Sequence, residues 1–177
     1  MMQVHAEYAA RGSTTPTGCG NGRRVYNYYW RVRNMSYKMT HWTAQRSIRS
    51  PSFYIWPGGY RMYLRLFPRQ SGNNVYIHVG LTRGDYDESL RWPFALPHRL
   101  AVLDQSADTQ MAQDLKSRLW HPSSLCSVFN WQRPSITGPA DNYECVGLGF
   151  LQEELHTRGY LRNDSLLIRL SVCIDAE

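Results

Sequence analysis

The chain has 177 residues, enough for one domain with its own core, and its 12 tyrosines and 6 tryptophans favour pleated, half-buried surfaces over helices. No apolar run reaches the roughly 18 residues a membrane helix needs, and Met1-Met2-Gln3-Val4-His5 lacks the basic and apolar regions of a secretory leader, so membrane insertion is not expected. The net charge of +6 rests on scattered arginines, with Lys38 and Lys116 as the lysines, which argues against a nucleic-acid partner while leaving acidic peptides open.

Residues 1–23 read as a flexible tail, because Gly12 to Gly22 is small, polar and turn-forming with little apolar area to offset ordering. The folded domain is expected over 24–177. From Val25 the pattern takes a period of two: Tyr26, Tyr28, Trp30 and Val32 share one face of a first strand, Asn27, Tyr29 and Arg31 the other. A second strand is expected before Ser50, with Ser50-Pro51-Ser52-Phe53-Tyr54 as the corner that ends it. Pro57-Gly58-Gly59 then signals a turn.

Met62, Leu64 and Leu66 alternate with Tyr63, Arg65 and Phe67 in the next strand. After a polar turn around Gly72, Val75, Ile77 and Val79 alternate with Tyr76 and His78. Gly84 to Phe94 reads as a turn leading into a buried Trp-Pro-Phe plug, and Leu100–Leu103 as a short strand. The spacing of Met111, Leu115 and Leu119 predicts a helical turn or two in the long connection that follows. Strands are expected again over Val146–Leu151 and around Leu166 to Val172, with one helical turn at Gln152–Thr157 between them. Short alternating strands separated by turns describe an antiparallel β-sandwich.

Nothing in this pattern points to catalysis. Cys19, Cys126, Cys145 and Cys173 form no Cys-x-x-Cys pair, which excludes an ordinary zinc site; they read as free thiols suited to a reducing cytosol, with one bridge left open. His41, His98, His121 and His156 have no partner histidine or cysteine three or four residues on, no serine lies in a Gly-x-Ser-x-Gly elbow, and Asp85, Asp87 and Glu88 are expected to cap a turn or hold Arg91. No catalytic residue, metal or cofactor is expected.

If the aliphatic faces of the two central strands line the core, Tyr63, Arg65, Phe67, Tyr76 and His78 stand together on the opposite face. Rings around an arginine have the composition of a recognition surface. Ordinary cross-strand pairing would account for the same pattern.

Seven blocks in order resemble a known family, the C-terminal MATH domain of the TNF receptor-associated factors, over about residues 24–174. They are Tyr28-x-Trp30-x-Val32, Ser50-Pro51-x-Phe53-Tyr54 continued by Gly59-Tyr60-x-Met62-x-Leu64-Arg65-Leu66, Gly84-Asp85-Tyr86-Asp87, Trp92-Pro93-Phe94, Leu103-Asp104-Gln105, Gln132-Arg133-Pro134, and Tyr160-Leu161-Arg162-Asn163-Asp164. The resemblance implies an all-β, eight-stranded antiparallel sandwich with one or two helical turns. It implies a cytoplasmic signalling adaptor that adds short extended peptides of receptor tails or signalling proteins, of the type Pro-x-Glu-x-x-aromatic/acidic, to a sheet edge.

By position, Arg65 matches the groove arginine that meets the distal acidic or aromatic residue, with Phe67 beside it. His78 stands where most members have Phe or Tyr. Phe129 and Asn130 fall where backbone N–H groups receive the central Glu or Gln, and Val146, Gly147 and Leu148 match the edge strand that forms the first anchor pocket. A serine run before Phe-Gln-Arg-Pro is replaced here by Val128-Phe129-Asn130-Trp131, and Pro68-Arg69-Gln70-Ser71-Gly72 replaces an acidic loop. Both point toward the branch of factors four and six. The family trimerises through a coiled coil and carries ubiquitin-ligase chemistry in a RING; both are expected outside this chain. The alternative is a substrate-recruiting MATH module of a ubiquitin protease or ligase outside the TRAF adaptors.

Overall fold

In a computed structural model, which describes residues 18–20 and 22–174, the alternation in the first strand pairs with the alternation in the last. Strand β1 (Arg24–Val32) lies antiparallel to β9 (Leu166–Ile174) in unbroken register from Arg24↔Ile174 to Val32↔Leu166. Tyr26, Tyr28, Trp30 and Val32 are therefore buried on the same side as Leu166, Ile168, Leu170 and Val172. A one-residue slip would expose every one of these rings, so the apolar pattern itself specifies the register.

The remaining strands are β2 (Ile48–Arg49), β3 (Phe53–Tyr54), β4 (Arg61–Ser71), β5 (Asn74–Leu81), β6 (His98–Val102), β7 (Leu115–Lys116) and β8 (Cys145–Leu151). One sheet runs β1-β9-β6-β7, and the other β2-β4-β5-β8 with β3 also on β4; all the pairings are antiparallel. Because β2 and β3 lie along one edge of β4, interrupted at Pro51, they act as one broken strand and the expected eight-stranded sandwich is what the chain forms. The core lies between the sheets, where Leu64, Leu66, Ile77 and Val79 meet Leu166, Ile168 and Leu170, and Phe53 stacks on Tyr28 with ring centroids 3.7 Å apart.

The expected plug is Trp92 and Phe94, with Pro93 outside. Phe94 packs edge-on to Tyr60, the Trp92 indole N–H donates to the Asp87 carbonyl (2.8 Å), and the Tyr60 hydroxyl donates to the Arg91 carbonyl (2.5 Å). Asp87 caps its turn by accepting the Gly84 N–H (3.0 Å).

Three expectations change. The Met111–Leu119 stretch makes no helix: Met111 is exposed and Leu115–Lys116 adds to the free edge of β6, where the Ser117 N–H and hydroxyl close hydrogen bonds with the Leu100 backbone. A four-residue spacing in a single turn cannot outweigh an open sheet edge. Conversely, helix α1 (Met35–His41) packs Met35 and Met39 onto the core, too short to show a period in the sequence. The four cysteines are not free thiols but form Cys19–Cys173 and Cys126–Cys145, 154 and 19 residues apart. The β1/β9 register explains the first, since it brings the approach to β1 beside the end of β9. Of the tail, residues 1–17 and 21 lie outside the described residues, while Cys19 is buried and fastened to β9.

Candidate functional site

The β4–β5 hairpin places Arg65 opposite His78 and Phe67 opposite Tyr76, and β8 continues the rows with Val146 opposite His78 and Gly149 opposite Tyr76. The expected residues thus share one face, but they are far less open than the sequence suggests. Tyr63 is fully buried: its ring lies on Gly80, where an added Cβ would sit 2.4 Å from it. The Arg49 guanidinium covers it at 4.0 Å from the ring centre, and its hydroxyl donates to the Asn142 carbonyl (2.8 Å). Burial, reinforced by Glu144 and Asp141, raises the Tyr63 pKa and keeps the phenol protonated. It is a packed floor and does not stand exposed.

Arg65 is ion-paired through Nε with Glu144, and its Nη1–H donates to Ser47 (3.1 Å); the two side chains are 25% and 20% exposed. Nothing in the sequence marks Glu144 as its partner, because it lies 79 residues away. Arg49 makes the neighbouring pair, a two-pronged contact with Asp141 at 2.9 Å on each oxygen. Burial works to raise the Asp141 carboxyl, but the Arg49 fork overrides it and holds it below the ordinary carboxylate value.

His78 is buried, with its Nε2–H donating to the Gln70 side-chain oxygen (2.9 Å) and its ring tilted 4.8 Å from that of Phe67. Burial lowers its pKa against the pull of Glu144, so the imidazole is neutral near pH 7.

Helix α2 (Val128–Trp131) and β8 form the margin of this face. Asn130 is a clasp: its side-chain oxygen accepts the Ser127 N–H and hydroxyl, its amide donates to the Tyr143 and Glu144 carbonyls, and its own N–H is spent on the Ser127 carbonyl. It therefore presents no free N–H to a ligand. Phe129 is 64% exposed, and Tyr143, which the sequence reading missed, is 82% exposed on the segment that Asn130 holds. Cys126–Cys145 ties the approach to α2 to the start of β8.

β8 ends its sheet, so among the described residues its outer side is an open edge apart from the Trp120 indole N–H donated to the Gly147 carbonyl (2.8 Å). A bulge between Ile77 and His78 divides the three expected β8 residues. Val146 points outward and is 39% exposed, Gly147 faces inward against Leu100, and Leu148 packs on the core. Among the described residues no three His, Cys, Asp or Glu side chains gather as a metal would require, and no helix is long and apolar enough to cross a membrane.

A MATH domain family model matches residues 27–172. TNF receptor-associated factor 6 of Xenopus tropicalis is 30% identical over 152 residues, covering 82% of this chain and 26% of that protein. The Danio rerio protein of the same name is 31% identical over 153 residues, covering 82% and 27%. The chain spans about a quarter of the length of these relatives. Among solved structures, TRAF5 of Notothenia coriiceps superposes with a TM-score of 0.64 at 24% identity, covering 82% of this chain and 72% of that one, a likeness of fold.

Proposed function

Because this chain belongs to the MATH domain family and is of the TRAF type, a protein-interaction module rather than a catalyst, we propose that it docks short extended peptides of receptor tails or signalling proteins by adding them as a strand along β8. The observation that carries this reading is the open edge of β8 bordered by exposed Phe129, Tyr143 and Val146. Backbone hydrogen bonds along the edge supply affinity, and the rings beside it supply side-chain contacts. Arg65, Phe67 and His78 form the inner wall, with Tyr63 as its support and Asn130 holding the outer rim in place.

Since Glu144 already neutralises Arg65, a Pro-x-Glu-x-x peptide that ends in an aromatic residue fits this wall better than one ending in an acid, which must first displace Glu144. The same occupied arginine favours one competing reading, a substrate-recruiting module of a ubiquitin protease or ligase that takes Pro/Ala-x-x-Ser peptides and needs no acid. The cytoplasmic location, the homotrimer through a coiled coil and any ligase activity elsewhere in a longer protein are proposed from kinship alone. The two disulfides remove the free-thiol argument for a reducing compartment.

Calorimetric titration of Pro-x-Glu-x-x-Tyr and Pro-x-x-Ser peptides tests these readings. The first is expected to bind in the micromolar range or more weakly, as one short strand buries little area, and Phe129→Ala to weaken it about fivefold. Tighter binding of the second selects the competing reading, and no binding by either peptide would remove the β8 site.

A further inference from the structure

Away from the peptide edge, a cleft of about 460 Å3 opens where β1 ends, beside the residues that follow β6 and the turn that leads into β9. Three arginines line it, Arg31, Arg33 and Arg162, together with Asn34, Gln105 and Asn163. No carboxylate and no aromatic ring is among its lining residues.

Arg31 is held in place. Gln105 donates both hydrogens of its amide, to the Tyr160 and Ser165 carbonyls (3.0 Å each), which leaves its oxygen to accept from Arg31 Nη1 (3.2 Å). Arg33 and Arg162 have no hydrogen-bond or ion-pair partner for their guanidinium groups among the described residues, and both are exposed. The nearest acid along the chain, Asp164, turns one oxygen to α1: its Oδ1 accepts the Ser36 N–H (2.9 Å) and hydroxyl (2.6 Å). The turns that bring these residues together pass through left-handed conformations at Asn34, Asn163 and Asp164 and are joined by the Met35 N–H to the Asp164 carbonyl (3.0 Å).

We propose that this cleft binds a compact small-molecule oxyanion with two adjacent phosphoryl groups, of the pyrophosphate type. Three cations around one small volume attract an anion together, and a guanidinium fork matches phosphoryl oxygens in pairs. A single carboxylate would satisfy one fork and leave two charges unmatched, whereas a diphosphate carries enough charge and oxygens for all three. The cleft also exceeds what one phosphate fills. With no ring in the wall, a nucleoside attached to the diphosphate gains nothing, so the diphosphate itself is what is recognised. This site lies apart from the peptide edge and stands or falls independently of it.

The test is isothermal titration of the full chain with inorganic pyrophosphate, orthophosphate, ADP and penta-glutamate at low ionic strength, where exposed charges are least screened. Pyrophosphate is expected to bind at least about tenfold more tightly than orthophosphate, with ADP within about threefold of pyrophosphate. The double variant Arg33→Ala/Arg162→Ala is expected to lose tenfold or more while keeping its melting temperature, and Arg91→Ala, an exposed arginine outside the cleft, to lose nothing. Absent pyrophosphate binding, equal binding by the double variant, an equal loss in Arg91→Ala, or tighter penta-glutamate binding each overturns the proposal.

Discussion

Arg65 and Arg33 carry the same charged group in opposite circumstances. On the outer face of the five-stranded sheet the arginines are quarter-exposed and matched, Arg65 with Glu144 and Arg49 with Asp141 over the Tyr63 ring. At the end of the four-stranded sheet, Arg33 and Arg162 stand in solvent without partners among the described residues. A net charge of +6 does not distinguish the two regions. Neutralised arginines stabilise and shape a surface; unmatched ones are free to attract a ligand.

The largest expected effect comes from releasing the segment that carries Glu144. Replacing Cys126 and Cys145 together by serine opens a loop of 19 residues, which should cost about 3 kcal/mol of unfolding free energy measured in urea. It should also weaken any peptide bound at β8. An unchanged midpoint would mean that this bridge holds nothing that Asn130 does not already hold.

The two arginine environments separate next. Arg49→Ala removes both hydrogen bonds to Asp141 and the cover on Tyr63, for about 2 kcal/mol, whereas Arg33→Ala should shift stability by less than about 0.5 kcal/mol. Similar losses for the two variants would erase the contrast.

Acid probes that outer face through His78 and the core through His98 on β6, which packs against Phe94 and Trp131. Burial lowers both, His98 to about 4, with the Leu96 carbonyl working against the shift. A histidine depressed on folding binds fewer protons in the native state than in the unfolded chain. Its contribution is therefore complete above the unfolded value of about 6.5 and is lost as pH falls from there through the folded value. Stability measured by thermal melts should drop between pH 7 and 5 by on the order of 1–2 kcal/mol, mostly from His98. Peptide affinity should change little between pH 8 and 7, where His78, lowered by burial, stays neutral.

The last effect is the most selective. Glu144→Gln should cost about 1 kcal/mol of stability, since its pair is partly screened, yet strengthen binding of a peptide with an acidic last residue relative to an aromatic one. An unchanged preference in paired titrations would show that Glu144 does not guard Arg65.

How far the sequence reaches is visible in individual residues. The period-two alternation located β1, β4, β5 and β9 and their inward residues, and the Trp-Pro-Phe block located Phe94 in the core. Gln105, in a block whose role the sequence left open, turns out to fasten two carbonyls and Arg31. The site was legible in part: Arg65, Phe67 and His78 do share a face, while Tyr63 is covered on that face by Arg49, Gly147 and Leu148 turn inward and Tyr143 was not foreseen.

What the chain by itself determined is the sandwich, because alternation of apolar and polar side chains is a local property that burial converts directly into strands and faces. What only the tertiary structure decided is which charges and thiols meet: Glu144 on Arg65, Asp141 on Arg49, Cys19 on Cys173, and, among the described residues, no acid on Arg33 or Arg162. Those encounters join residues as much as 154 positions apart. Electrostatics and covalent pairing depend on distances of a few ångströms that no local pattern encodes.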